Sequence, residues 1–221
     1  MDINQPKPPY NLNRGRYRNA VFANAVHHLH QLPPDVGFEV AFAGRSNAGK
    51  SSCINRLCCQ VGMAKTSRTP GRTQQIVVFE MDDERRIMDL PGYGYAKVPA
   101  DLQRHWQQLL DQYMRKRNCL VGLVLMMDSR HPLKPYDLEM LEWLATTKVA
   151  GHIVLTKSDK IKRQQQANAV LSVKKYLTQH QLQEQITVQL FSSLKNTGVE
   201  ELEQRLDQWY QWPEHKPKQK K

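Results

Sequence analysis

The run Gly44-Arg45-Ser46-Asn47-Ala48-Gly49-Lys50-Ser51 matches the pattern G-x-x-x-x-G-K-[ST] without a gap. Few short patterns restrict a fold so tightly. The glycines let the chain turn so that successive backbone N–H groups face one anion. That geometry needs a strand to deliver the turn and a helix to leave it, with the positive end of the helix on the same anion. The flanks agree. Residues 36–43 (Val-Gly-Phe-Glu-Val-Ala-Phe-Ala) read as a strand, and Ser51 to Cys59 reads as a helix with Cys53, Ile54, Leu57 and Cys58 on one face. A phosphate is therefore the expected occupant, cradled by residues 44–52 with Ser52 included.

The remaining pattern alternates. Gln75 to Met81 and Arg86 to Leu90 read as strands of an antiparallel hairpin around the polar turn Asp82-Asp83-Glu84. Leu120 to Met127 is a continuous apolar run, as expected of a strand covered on both faces. His152 to Leu155 and Thr187 to Phe191 complete six strands. Helices are expected over Ala20 to Leu32, Asp101 to Arg117, from Pro135 onward, over Arg163 to Gln181, and from a capping box at Thr197-Gly-Val-Glu200. The predicted fold is α/β: a three-layer α/β/α P-loop NTPase with a mostly parallel six-stranded sheet, one antiparallel strand, and helices on both faces. Ligands of such sheets bind at the carboxyl ends of the strands, where the phosphate loop falls.

Size and composition set the limits. A chain of 221 residues, 40% apolar, suits a single core and argues against wholesale disorder. Residues 1–20 carry Arg14, Arg16 and Arg18 among Pro and Asn and read as a flexible basic arm. Residues 21–212 read as one domain, and 213–221 as a disordered tail with Lys216, Lys218, Lys220 and Lys221. No apolar run approaches the ~18–20 residues of a membrane span, and the first residues lack a signal-peptide pattern, so a cytoplasmic protein is expected. Cys53, Cys58, Cys59 and Cys119 show no metal-binding spacing and read as reduced, buried thiols.

The nucleotide can be read further. Lys50 would bridge β- and γ-phosphates, and the Ser51 hydroxyl would bind Mg²⁺. Asp89 closes an apolar strand and starts Asp89-Leu90-Pro91-Gly92; its carboxylate would hold Mg²⁺ through a water, and the Gly92 N–H would sense the γ-phosphate. Thr156-Lys157-Ser158-Asp159 follows the fifth strand. The Asp159 carboxylate accepts hydrogen bonds from guanine N1–H and its exocyclic amine, where adenine has no donor. Such buried pairing discriminates by ~10⁴ or more. Lys157 would lie along the base, and backbone N–H groups of Phe191, Ser192 and Ser193 would meet the guanine carbonyl oxygen. A second Mg²⁺ hydroxyl should come from the first mobile loop, where Thr66, Ser67, Thr69 and Thr73 are equivalent on chemistry alone. Tyr93 occupies the position where many GTPases place a water-orienting glutamine. Unassisted turnover is therefore expected to be slow.

These residues resemble the EngB (YsxC/YihA) family of bacterial ribosome-biogenesis GTPases. The resemblance rests on residues 37–52, on Thr69-Pro-Gly-Arg-Thr-Gln74, on residues 89–96 (Asp-Leu-Pro-Gly-Tyr-Gly-Tyr-Ala) and on Thr156 to Asp159, and runs from about Phe38 to Trp209. It implies that Gly71, Arg72, Thr73, Gln74 and Gln75 lie near the nucleotide, with Thr73 the Mg²⁺ hydroxyl and Thr69 its alternate. It implies hydrolysis of GTP to GDP, a switch role in assembly of the large (50S) ribosomal subunit, and a link to cell division and septation. Asn47 corresponds to the K⁺-binding position of related cation-dependent GTPases; a backbone-capping side chain is the alternative.

The net charge of +11 predicts attraction to anions. Basic clusters at 14–18, 65–72, 115–117, 160–163 and the C-terminal tail together fit contact with RNA phosphates; the resemblance implies rRNA of the large subunit or its precursor as the partner, and a monomer is expected. Two competing readings remain at this level: a basic RNA- or membrane-associated module in which GTP is only a structural ligand, and a division-associated GTPase tethered to membrane by its tails.

Overall fold

The computed structural model describes residues 14–64, 75–93 and 100–212. The proposed loop residues Thr66, Ser67, Thr69, Gly71, Arg72, Thr73 and Gln74, together with Tyr95, the first part of the arm and the lysine tail, lie outside the described residues.

Strands are β1 (Val21–Val26), β2 (Phe38–Gly44), β3 (Ile76–Glu80), β4 (Arg85–Asp89), β5 (Leu120–Asp128), β6 (Ala150–Thr156) and β7 (Ile186–Leu190). Helices are α1 (Arg14–Arg18), α2 (Lys50–Leu57), α3 (Ala100–Lys116), α4 (Pro135–Ala145), α5 (Arg163–Gln179) and α6 (Val199–Trp209). The strands form one sheet in the order β1-β3-β4-β2-β5-β6-β7. β4, β2, β5, β6 and β7 pair in parallel, while β3 runs antiparallel to both β4 and β1.

The sheet thus has seven strands, not six. The additional strand, β1, falls within Ala20 to Leu32, which was expected to be helical. Pairing with β3 decides otherwise, as tertiary context overrides weak local preference. β1 is an edge strand with Val21 and Phe22 exposed, and Phe22 meets Phe79 edge-on at 6.5 Å. Only Leu29–Gln31 of that predicted helix is helical, as a 3-10 turn.

The basic arm also needs correction, for residues 14–20. Tyr17 and Ala20 are fully buried. The Tyr17 hydroxyl donates to Asp207 Oδ1 at 2.6 Å, its ring lies 6.5 Å from Tyr210, and Arg16 pairs with Asp207 at 3.3 Å. One aromatic ring with a satisfied hydroxyl is enough to dock a short basic segment. Cys59 is exposed; the other three thiols are buried and free as expected.

Alternation along β5 sends Leu123, Leu125 and Met127 into one core, with Leu109, Tyr113, Leu141, Leu144 and Val173 of α3, α4 and α5. Val124 and Met126 face the other core, with Ile54, Leu57, Leu202 and Leu206 of α2 and α6. The continuous apolar run is therefore two interleaved stripes, one per sheet face. At the amino-terminal end of β2, buried Glu39 takes a two-pronged pair from Arg117 (3.0 and 2.7 Å) and a hydrogen bond from the Tyr113 hydroxyl at 3.1 Å. Arg117 is thereby spent inside the protein and leaves the basic cluster at 115–117. Among the described residues no helix is long and apolar enough to cross a membrane.

Parallel register brings the strand ends together: Phe42 is opposite Asp89, Gly44 opposite Met126, Asp128 opposite Thr156, and Leu155 opposite Leu190. Every predicted site segment within the described residues emerges from this one edge.

Candidate functional site: the carboxyl edge of the sheet

β2 ends at Gly44 and α2 begins at Lys50. Between them Asn47 and Gly49 take left-handed backbone, with φ of 61° and 93°. Glycine adopts this readily and asparagine tolerates it. A side chain at Gly44 would run into Met126, with heavy atoms at 2.8 and 2.9 Å. The turn therefore stays tight against β5.

The Lys50 ammonium is paired with Asp89 Oδ1, and both side chains are nearly covered, at 12% and 10% exposed. The ammonium is held at the amino-terminal end of α2, beside the glycine turn. β4 continues past Asp89 as a stitch to the phosphate loop. Leu90 N–H donates to Phe42 O (3.0 Å), Tyr93 N–H to Gly44 O (3.3 Å), and Ser46 N–H to Tyr93 O (3.0 Å). This places Gly92 beside Ser46, where a Cβ would lie 3.4 Å from the Ser46 N and Cα.

Beyond β6 the Thr156 hydroxyl lies within hydrogen-bond distance of two carbonyls, Ala48 O at 2.5 Å and Met127 O at 3.1 Å. Lys157, itself left-handed at φ 56°, donates to Asn47 O at 2.6 Å and pairs with Asp128 Oδ2 at 3.0 Å. Two residues of the predicted base-recognition segment thus brace the phosphate loop from behind. Asp128 was missed from sequence, although an acidic residue ending an apolar strand was a readable signal. Burial opposes its charge, but hydrogen bonds from Arg130 and then Lys157 hold its carboxyl well below the usual range.

The predicted base end is built from two separate segments. Ser192 Oγ donates to Asp159 Oδ1 at 2.6 Å, and that hydrogen bond is the main cause lowering the Asp159 carboxyl from its ordinary value. Lys160 stands 3.6 Å from Oδ2. Lys195 N–H donates to Ser192 Oγ, and Ser158 N–H donates to Phe191 O, so the two loops are fastened to each other. The capping box expected at Thr197 is not formed; Gly198 precedes α6 with φ 73°, and Thr197 pairs with Ser192 instead. Gln75 sits at the start of β3 near the same edge, its side chain against His27.

The donors available to a cation here are oxygens: the Ser51 hydroxyl at the start of α2 and the Asp89 carboxylate. No group of three or more His, Cys, Asp or Glu suited to a metal occurs among the described residues. A lone carboxylate with a hydroxyl suits Mg²⁺, which keeps waters and takes its other ligands from substrate phosphates. Asn47 makes no side-chain hydrogen bond with the described residues that would cap the turn; its carbonyl is what Lys157 holds.

A model of the 50S ribosome-binding GTPase family matches residues 39–157. A protein of Xanthomonas euvesicatoria named probable GTP-binding protein EngB is 52% identical over 185 residues, spanning 84% of this chain and 89% of its own length. Its namesake in Stenotrophomonas maltophilia is 51% identical, with 84% and 92% covered. Among solved structures, a probable GTP-binding protein EngB aligns with TM-score 0.63 and 21% identity over 79% of this chain and all of the other. Era in complex with MgGDPNP and a 16S ribosomal RNA segment aligns with TM-score 0.58 and 22% identity, over 82% of this chain and 59% of the other.

Proposed function

This chain belongs to the EngB family of GTP-binding proteins and is a GTPase, and from that premise we propose that it works as a Mg²⁺-dependent switch in assembly of the large ribosomal subunit. The observation that carries the chemistry is the convergence of a phosphate turn, Asp89 and the Ser192-braced Asp159 on one sheet edge. In this reading residues 44–52 grip the phosphates, and Lys50 leaves Asp89 for the β- and γ-phosphates. Ser51, Asp89 through a water, and Thr73 would hold Mg²⁺, which would supply positive charge to the phosphates. The Gly92 N–H registers the γ-phosphate. Asp159 reads guanine, with Lys157 along the base and the N–H groups of residues 191–193 on its carbonyl.

Tyr93 does not offer the amide that orients water in many relatives of this fold. We assign the missing group to K⁺ at Asn47 or to the ribosomal partner. Turnover in KCl above that in NaCl supports the first; equal rates remove it. The ribosomal role is supported by the description of the matching family and by the net charge of +11, which favours RNA phosphates with a steep loss of affinity in salt. A part in cell division and septation, a cytoplasmic site of action and a monomeric state belong to the same reading.

Calorimetry with GDP, GTP, ATP and XTP tests the chemistry: GTP and GDP should bind and ATP should not. Equal uptake of ATP and GTP ends the reading. Sedimentation with large-subunit particles in each nucleotide state tests the biology, and binding indifferent to nucleotide would favour a static RNA-binding module.

A further inference from the structure

Tyr93 follows Gly92 directly, and its phenol reaches across to α4. Its hydroxyl donates to Asp137 Oδ1 at 3.2 Å, on the first turn of α4. The other oxygen of the same carboxylate, Oδ2, accepts the Lys134 N–H at 3.0 Å and so caps that helix. Asp137 is 1% exposed. A buried carboxylate with both oxygens engaged is a costly group to keep unless both partners stay in place. The ring of Tyr136, the neighbouring residue of α4, lies 6.3 Å from that of Tyr93.

The Tyr93 main chain is meanwhile stitched to the phosphate loop on both sides, through Gly44 O and Ser46 N. One residue therefore connects three things: the turn that grips phosphate, the Gly92 amide, and the amino-terminal end of α4. Resting on the GTPase reading above, we propose that Asp137 is a positioning residue for γ-phosphate recognition. It holds the Tyr93 side chain, Tyr93 holds Gly92 against Ser46, and the Gly92 N–H is thereby aimed before the nucleotide arrives. The tether also makes α4 a lever: a partner that shifts its first turn loosens the γ-phosphate sensor and leaves the guanine and β-phosphate contacts untouched.

Tyr93→Phe removes the phenolic donor alone, keeping the ring and the helix cap. It should weaken binding of a non-hydrolysable GTP analogue roughly tenfold and leave GDP affinity unchanged within about twofold. A purely structural role would weaken both nucleotides equally or alter only the melting temperature; either result, or no change at all, overturns the proposal. Asp137→Ala removes the acceptor from the other side of the tether and supplies a second variant should the first fold poorly. Its effect should be selective for the analogue in the same way, and the double variant should be no worse than Asp137→Ala alone, because both break one tether. Additive losses would overturn the coupling. A wild-type protein that binds neither nucleotide would instead defeat the GTPase reading itself, so the two failures are told apart by which protein shows them.

Discussion

Ser192, after the last strand, donates its hydroxyl to the carboxylate of Asp159, after the strand before it, at 2.6 Å. The hydrogen bond keeps that carboxyl ionised and fixes one oxygen while the loop carrying Ser192 stays in register with it. On the proposed reading, base recognition would depend on two loops held together, and altering either would weaken it.

Asp159→Asn should therefore turn the preference from guanine toward xanthine nucleotides, because the amide offers a donor where xanthine has a carbonyl. Calorimetry should show GTP affinity falling by about 10² or more while XTP affinity rises. Ser192→Ala leaves the carboxylate but frees it to move; guanine-nucleotide affinity should fall about three- to tenfold with no gain for xanthine.

Lys50→Ala should lose about 10- to 100-fold in affinity for GDP and GTP alike, since charge-assisted bonds to the phosphates go with the ammonium. Equilibrium binding of a fluorescent guanine nucleotide measures it. An unchanged affinity would show that the Lys50–Asp89 pair does not open on binding.

Acid should destabilise the fold through His152, in β6. Burial pushes its imidazole down to about 4, against the help of its hydrogen bond to Gln189. Its two nitrogens are engaged by Thr187 and Gln189, both at 2.7 Å. The unfolded chain has the ordinary value near ~6.5 and binds the proton first. Stability from this group is thus full above about pH 6.5 and is lost as pH falls toward about 4, by up to about 3 kcal/mol. Urea unfolding at pH 7 and pH 5 checks the sign; replacement by glutamine should flatten the slope.

Glu39→Ala strands the Arg117 guanidinium and the Tyr113 hydroxyl in the interior. It should cost about 3–5 kcal/mol of unfolding free energy. The site lies at the opposite end of β2 from the phosphate loop, so GDP affinity of the folded fraction should be unchanged. Denaturant titration beside calorimetry separates the two effects.

Removing Mg²⁺ with a chelator should abolish turnover, and turnover by the isolated protein with Mg²⁺ present should still be slow. Single-turnover hydrolysis approaching partner-assisted rates, with no partner added, would show that Tyr93 is no handicap.

The order of strands and helices from residue 36 onward was legible because each apolar run is bounded by its own turn. The phosphate loop was legible because its backbone shape is encoded locally, in Gly44, Gly49 and the helix that follows. β1 was not, since Val21 to Val26 acquire strand structure only by lying beside β3. Nor was the docking of Tyr17, whose partner Asp207 is 190 positions away in the chain. Asp137 escaped for the same reason: its role depends on a Tyr93 hydroxyl far off in the chain; the strand-end position of Asp128 was readable, but its pairing with Lys157 was not.

Local chemistry in the sequence was sufficient for the nucleotide class, the phosphate turn and the alternating α/β plan, because short-range backbone geometry and strand periodicity are written in neighbouring residues. Folding alone decided the seventh strand, the Ser192–Asp159 brace, the Lys157 hold on the phosphate loop and the Tyr93–Asp137 tether. Each joins residues far apart in the chain, and only parallel strand register brings such residues to the same edge.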